Sequence, residues 1–293
     1  MRKTVHLGNG LQIGGDNFVV IAGPCAVETR DLLMTVAQAV AAAGAAMLRG
    51  GAFKPRTSPK SFQGLGVAGL ALLAEASEHT GLPVVTEVMD PRDVEVVALH
   101  AAMLQVGSRN MQNFPLLREV GRQRKPVLLK RGASATLDEL LLAAEYILQE
   151  GNDQVVLCER GVRSFDPSTR YLLDLAAVPA LRQRTDLPIV VDPSHGTGEA
   201  ALVAPMAKAA LMAGADGLLI EVHAAPEHAL CDGKQALRPA EFAQLAAELR
   251  RLVPLCGRRW SLPRAATGLA SLTGFHGTTA PAPDSLDNEV MAP

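Results

Sequence analysis

Aromatic residues are scarce in this chain: one Trp, two Tyr and seven Phe among 293 residues. Few aromatics with many Ala and Leu is a composition that suits helices packed on a parallel sheet. Neither sign of charge is in excess, with 28 Lys and Arg against 30 Asp and Glu and a formal net charge of −2. No global field draws the chain to nucleic acid, so anion binding has to come from local clusters. Four cysteines without paired spacing do not make a disulfide framework. No uninterrupted apolar run reaches the ~18 residues of a membrane-spanning helix. The polar, Gly-rich residues 1–18 contain no secretory apolar region. A cytoplasmic globular protein is expected, with no nucleic-acid and no membrane partner.

What is present is a repeated alternation. Short β-branched runs precede long Ala/Leu-rich amphipathic stretches, the pattern of βα units. Eight strands are predicted at 18–22, 46–48, 83–87, 103–106, 126–130, 154–158, 188–191 and 217–220. Eight helices are predicted at 30–43, 62–79, 91–100, 116–123, 137–149, 168–184, 200–213 and 239–252. Gly44, Gly81, Gly151 and Gly214 follow helices and suit left-handed C-caps, while Asp90 and Thr136 suit N-caps. The expected fold class is α/β, a (β/α)8 TIM barrel with a short N-terminal β-hairpin and a flexible C-terminal tail. An open doubly wound sheet is the alternative, disfavoured because no Gly-x-Gly-x-x-Gly follows the first strand. The hairpin is read at residues 5–13 around Gly8-Asn9-Gly10, placed to plug one end of the barrel. Residues 1–256 are expected to form the barrel with its hairpin. Residues 257–293, rich in Gly, Ala, Pro, Ser and Thr, are expected to be a flexible extension.

In such a barrel, chemistry sits at the C-terminal ends of the strands. Cys25, Arg49, Glu87, Arg109, Lys130-Arg131, Glu159-Arg160, Asp192 to His195 and Glu221 to His223 all fall at those ends, with Lys54 and Arg56 in the loop after strand two. Any one of them reads as a solvated loop charge; their coincidence at all eight ends points to a site. Six cations, Arg49, Lys54, Arg56, Arg109, Lys130 and Arg160, repel one another unless anions such as two phosphates and a carboxylate neutralise them. Cys25, His195, Glu221 and Asp232 combine thiol, imidazole and carboxylate, which suits a borderline divalent transition metal better than magnesium. Cys25 also reads as a small buried hydrophobe, and His195 as a loop histidine beside Gly196. Cys158 and Cys256 are read as core and tail residues, and Cys231, beside Asp232, as packing or else a spare ligand. His6, His79, His100 and His276 have no assignable partners, and His223 is expected beside the site.

Several of these stretches occur together in a known family. Gly23-Pro-Cys25, Arg49-Gly-Gly-Ala-Phe-Lys54-Pro-Arg56-Thr57-Ser-Pro59, Gly107-Ser-Arg109-Asn110, Lys130-Arg-Gly132 and Cys158-Glu-Arg160-Gly161 resemble 3-deoxy-D-arabino-heptulosonate 7-phosphate (DAHP) synthases. Asp192-Pro-Ser-His195, Glu221-Val-His223 and Asp232-Gly-Lys-Gln235 complete the set, which spans residues 19–252. The resemblance is to the compact subgroup related to the octulosonate 8-phosphate synthases, which carry Ala-Asn-Arg-Ser where this chain has Lys54-Pro-Arg-Thr-Ser.

The resemblance implies a metal-dependent condensation of phosphoenolpyruvate with erythrose 4-phosphate at the start of the shikimate pathway. It implies Cys25, His195, Glu221 and Asp232 as ligands of Mn2+, Co2+, Fe2+ or Zn2+. It implies Arg49, Lys54, Arg109, Lys130 and Arg160 as the phosphoenolpyruvate site, Arg56 and Thr57 as the aldose phosphate site, and Lys54, Lys130, His195 and Cys25 as catalytic. The alternatives are an octulosonate-type enzyme using a five-carbon aldose phosphate, a Schiff-base aldolase through Lys130, and a non-catalytic binding barrel. A homo-oligomer, dimer or tetramer, is expected. The family often carries an N-terminal regulatory or chorismate mutase domain. With about seventeen residues before the first strand, neither is expected here, nor is inhibition by aromatic amino acids through such a domain.

Overall fold

A computed structural model describes residues 2–7 and 10–263. Eight parallel strands close on themselves: β3 (Asn17–Gly23), β4 (Met47–Arg49), β5 (Val84–Glu87), β6 (Met103–Val106), β7 (Val127–Lys130), β8 (Val155–Glu159), β9 (Ile189–Val191) and β10 (Gly217–Glu221). Closure comes from β10 pairing β3, with Gly217 opposite Val19 and Glu221 opposite Gly23. Around them lie α1 (Arg30–Ala42), α2 (Val67–Thr80), α3 (Val94–His100), α4 (Phe114–Arg122), α5 (Leu137–Gln149), α6 (Ala177–Arg182), α7 (Pro193–Thr197), α8 (Ala200–Met212) and α9 (Pro239–Leu252). The expected (β/α)8 barrel is what forms.

Side chains alternate across each strand, and both faces are buried here. Val19, Ile21, Met47, Val85, Met103, Leu128, Val156, Val190 and Leu219 point inward and fill the barrel. Val20, Leu48, Val84, Leu104, Leu129, Leu157, Val191 and Leu218 point outward and meet the helices. Leu and Val fill both layers, so few aromatics are needed. Before the barrel, β1 (Thr4–His6) and β2 (Gln12–Gly14) form an antiparallel hairpin. Its Val5, Leu7, Leu11 and Ile13 are buried against the inward residues, closing that end as expected. Gly8 and Asn9, expected in its turn, lie outside the described residues.

Helix caps follow the expected chemistry. Thr136 and Glu139 form a reciprocal capping box at α5, and the Asp90 carboxylate accepts from Arg92 N. Gly44, Gly81, Gly151 and Gly214 all have positive φ.

Three elements differ from expectation. Helix α2 starts at Val67 rather than 62, because Gly64 and Gly66 take positive φ and the preceding residues form a loop. Helix α6 covers only 177–182 of the expected 168–184. Pro179 cannot sit deep inside a helix, and a start at Ala177 places it in the first turn. The segment before it pairs instead, with Val162 opposite Leu172. At the other end, the expected boundary at 257 falls within the fold. β11 (Arg259–Trp260) pairs with Asn17 and Phe18 of β3, and Arg258 Nη1 donates to the buried Asp216 at 2.7 Å. The rest of the expected extension, from 264 on and including His276, lies outside the described residues. No helix among the described residues is long and apolar enough to cross a membrane.

Candidate active site

The inward parity that builds the apolar layer continues upward and changes chemistry. Two residues beyond Met47 comes Arg49, beyond Val85 Glu87, beyond Met103 Gln105, beyond Leu128 Lys130, beyond Cys158 Arg160, beyond Val190 Asp192 and beyond Leu219 Glu221. One end of the barrel thus carries a ring of polar groups, nearly all of them buried. Residues of the opposite parity do structural work. Arg131 donates to Glu159 and to Asp174, both at 2.9 Å, which stitches β7 to β8 and to the segment before α6.

Over this ring opens a cavity of about 650 Å³, lined by Lys54, Arg56, Thr57, Arg109, Lys130 and Arg160 among others. Arg49 lies deeper, in a recess of about 30 Å³ that it shares with Cys25, Lys54, Lys130 and His195. All six predicted cations therefore converge. Two of their donors have no hydrogen-bond acceptor among the described residues. Arg160 Nη1 and Arg49 Nη1 are buried and make no hydrogen bond among the described residues. A buried guanidinium donor without an acceptor is costly, and anionic oxygens are the groups that satisfy it.

Beside the cations, Cys25, His195, Glu221 and Asp232 each bring a ligand atom within 4.8 Å of the others. Four separate loops or strand ends deliver them. His195 sits on the short helix α7, whose N-cap Asp192 accepts from His195 N at 2.9 Å and from Nδ1 at 2.8 Å. Burial pushes the His195 imidazole down to about 4, so the ring is neutral near pH 7. For Asp192, burial opposes ionisation, but His195, Lys130 and Arg49 outweigh it and hold the carboxyl well below its usual range. A neutral ring donating from Nδ1 to that carboxylate leaves a lone pair on Nε2. That lone pair faces Glu221 Oε1 at 3.3 Å and Asp232 Oδ2 at 4.0 Å. Glu221 Oε1 is itself buried without a hydrogen bond among the described residues, its nearest cation being Arg49 Nη2 at 3.1 Å. The Nε2 lone pair and the two carboxylate oxygens converge with no proton on the line between ring and carboxylates, which marks a place for a cation. The donor set of sulfur, nitrogen and two carboxylates fits a divalent transition metal.

The Cys25 thiol donates to Asp232 Oδ2 at 3.2 Å and accepts from Lys54 Nζ at 2.8 Å. Burial pushes the thiol up, and the Lys54 ammonium works against that. Burial also opposes the Asp232 carboxylate, yet Lys54, His195 and Arg170 keep it far below the usual range. Asp232 is the one non-glycine with positive φ among the described residues, at 50°. Such backbone costs of order 1–3 kcal/mol and persists where the surroundings over-determine it.

The other candidates fall elsewhere. Cys158 is fully buried in the barrel interior, and Cys256 ends a short 3-10 turn after α9. Cys231 packs with Cys25 and Ala26. His223 does not join the four donors: its Nδ1 accepts from Ala225 N, and its Nε2 lies 3.5 Å from Glu28. His79 and His100 bond to carbonyls within their own helices, and His6 Nδ1 meets Gln12. Arg170 and Tyr171, both lining the cavity, were hidden inside the expected helix 168–184. The Tyr171 ring lies 4.1 Å from the Arg160 guanidinium. Pro179 was the signal that this helix had to start later. Gln235, which the sequence offers only as the end of the Asp232-Gly-Lys-Gln235 motif, donates its amide to Glu221.

A closed parallel barrel with a cationic cavity and a four-donor cluster at the C-terminal ends of its strands defines an aldolase-type barrel enzyme for anionic substrates. Residues 3–254 match the profile of the DAHP synthetase I family, and the chain belongs to that family. A phospho-2-dehydro-3-deoxyheptonate aldolase of Thermotoga maritima is 49% identical over 253 residues, 86% of this chain and 75% of that protein. A 2-dehydro-3-deoxyphosphooctonate aldolase of Syntrophobacter fumaroxidans is 32% identical, over 82% of this chain and 88% of its own. The crystal structure of the Thermotoga maritima DAHP synthase superposes with a TM-score of 0.86 at 48% identity, covering 88% of this chain and 76% of that one. A truncated form of a DAHP synthase from that organism gives 0.83 at 44% identity, covering 88% of this chain and 95% of its own.

Proposed function

We propose that this chain condenses phosphoenolpyruvate with D-erythrose 4-phosphate and water, giving 3-deoxy-D-arabino-heptulosonate 7-phosphate and inorganic phosphate at the start of the shikimate pathway. The observation that carries the reading is the convergence of six cations on one cavity beside the four-donor cluster. In this reading Cys25, His195, Glu221 and Asp232 hold a divalent ion, Mn2+, Co2+, Fe2+ or Zn2+. Arg49, Lys54, Arg109, Lys130 and Arg160 take phosphoenolpyruvate, and Arg56 and Thr57 take the aldose phosphate. Lys54, Lys130, His195 and Cys25 are the catalytic group.

When bound, the ion supplies Lewis acidity that polarises the aldehyde carbonyl. The chain's own residues contribute positioning and charge neutralisation. Two phosphates and a carboxylate repel one another, and the cations remove that repulsion as they orient them. Guanidinium forks match carboxylate and phosphate oxygens, and the lysines act as point charges. C3 of the enol phosphate forms a bond to the aldehyde carbon. The positive charge developing at C2 takes a water, and the hemiketal phosphate then loses phosphate by C–O cleavage. Asp192 holds the His195 proton at Nδ1 and accepts from Lys130 Nζ at 2.6 Å. In this reading Lys130, paired with Asp192, serves as a point charge for the anionic substrate rather than as a Schiff-base nucleophile.

The test is phosphate release from phosphoenolpyruvate with four-carbon and five-carbon aldose phosphates. Rapid release with erythrose 4-phosphate and far slower release with arabinose 5-phosphate is the expected result. The reverse order supports the octulosonate reading. No release with either supports a binding barrel.

A further inference from the structure

Each carboxylate of the four-donor cluster has one oxygen turned to the cluster and the other held by a neighbour. Glu221 presents Oε1 toward His195, with Arg49 Nη2 3.1 Å from the same oxygen, while its Oε2 accepts from Gln235 Nε2 at 2.7 Å. Asp232 presents Oδ2 toward Cys25 and His195, while its Oδ1 accepts from Arg170 Nη1 at 3.1 Å. The same Arg170 Nη1 donates to Gln235 Oε1 at 2.8 Å.

This last bond decides how the Gln235 amide sits. A guanidinium has no acceptor, so the carbonyl end of the amide must face Arg170. The NH2 end must then face Glu221. Gln235 is 1% exposed and has no solvent route to the flipped arrangement. Arg170 is itself seated by shape. Its Cβ lies where any side chain on Gly198 would go, 2.5 Å from the position of an added Cβ, and Gly198 has φ 78°. Arg170 leaves the segment after β8, whereas Asp232 and Gln235 belong to the segment after β10. The contact therefore joins the segments on either side of β9.

We propose that Arg170 and Gln235 act as one positioning unit for the metal ligands, Arg170 setting the Gln235 amide and the pair aiming one oxygen each of Glu221 and Asp232 at the ion. The inference rests on the metal reading given above. Neighbours that orient ligands change metal affinity by roughly 10- to 100-fold when removed. A residue that serves only substrate binding leaves metal affinity alone.

The experiment uses the full chain, stripped of metal and titrated with Co2+ against a competing chelator. Arg170→Ala and Gln235→Ala are each expected to weaken Co2+ binding by roughly 10- to 100-fold. The double variant is expected to be no weaker than the weaker single variant, because residues acting as a unit are not additive. Arg170→Lys is expected to restore affinity in part, because both bonds leave the one Nη1 and an ammonium nitrogen has donors enough for both. Arg170 stands at the rim with a side chain 37% exposed. Its arm of the experiment stands alone if a Gln235 variant fails to fold, and thermal melts of the metal-free proteins identify that case. Affinity within twofold of the parent in the folded variants overturns the inference, as does a raised substrate KM with unchanged Co2+ affinity. A parent whose Co2+ affinity is unchanged by Cys25→Ala overturns the metal reading and the inference with it.

Discussion

Lys130 and Arg131 are adjacent, both positive and both buried, yet they serve different ends. Lys130 has the inward parity of Leu128 and meets the cavity, while Arg131 faces the helices and pairs with Glu159 and Asp174. Parity separates the cavity-facing residue from the structural one at this scale, and the two phosphate sites proposed above are expected to be separable by mutation. Arg160→Ala is expected to raise KM for phosphoenolpyruvate and to spare KM for the aldose phosphate. Arg56→Ala is expected to do the reverse. A lost charged hydrogen bond costs about 1.5–3 kcal/mol, or roughly 10- to 150-fold in affinity. Initial-rate kinetics with each substrate varied in turn checks the split, and equal effects on both constants would contradict the assignment.

His195 gives a second prediction at the residue scale. Its folded pKa is about 4, below the ordinary 6.5, because burial disfavours the charged ring. Between these two values the unfolded chain binds more protons than the folded one, so stability rises with pH across that window. The neutral ring's contribution is fully present above about pH 6.5 and is lost as pH falls toward 4, at up to about 1.4 kcal/mol per pH unit. Urea unfolding of the chelated protein at pH 7, 6 and 5 is expected to show the loss. In His195→Gln the same window should flatten, and an unchanged slope in that variant would sink the assignment.

Among the elements, the hairpin β1–β2 carries the clearest energetic consequence. Ile13 is fully buried beneath the barrel interior, so Ile13→Ala removes packed atoms from a site that cannot collapse freely. A loss of about 2–5 kcal/mol is expected, read from urea unfolding, with both KM values unchanged. A loss under about 1 kcal/mol would mean that the hairpin merely rests on the barrel. Elements were also where the sequence was least legible. Strands 103–106 and helices 137–149 and 239–252 were predicted with the boundaries they adopt, since clean turns or caps bound them. The expected helix 168–184 failed because apolar residues such as Leu172, Leu173 and Leu175 imitate helical spacing. Tertiary bonds decide that segment instead: Tyr171 N donates to Gly196 O at 3.1 Å and Leu172 N to Val162 O at 2.9 Å. Arg170 and Tyr171 were lost to view with that segment, since residues placed on a surface helix are not expected in an active site.

For the whole molecule, barrel closure turns a one-dimensional pattern into a site. Cys25 and Asp232 are 207 positions apart and 3.2 Å from contact to contact. No local motif announces such a cluster; the βα count does, because eight strand ends must meet on one face. The predicted cations and donors were legible for that reason. The partners that orient them, Gln235 and Arg170, were not, because their roles depend on loop paths that strand counting does not fix. The central claim, that this cluster makes the condensation metal-dependent, is tested most directly by turnover of exhaustively chelated enzyme with phosphoenolpyruvate and erythrose 4-phosphate, before and after titration with Mn2+ or Co2+. No turnover is expected in the chelated enzyme, with full recovery at one equivalent of ion per chain. The same recovery is expected in Cys158→Ala, whose thiol lies in the barrel interior, and little or none in Cys25→Ala. Full activity in metal-free enzyme, or recovery in Cys25→Ala equal to that of the parent, would contradict the central claim.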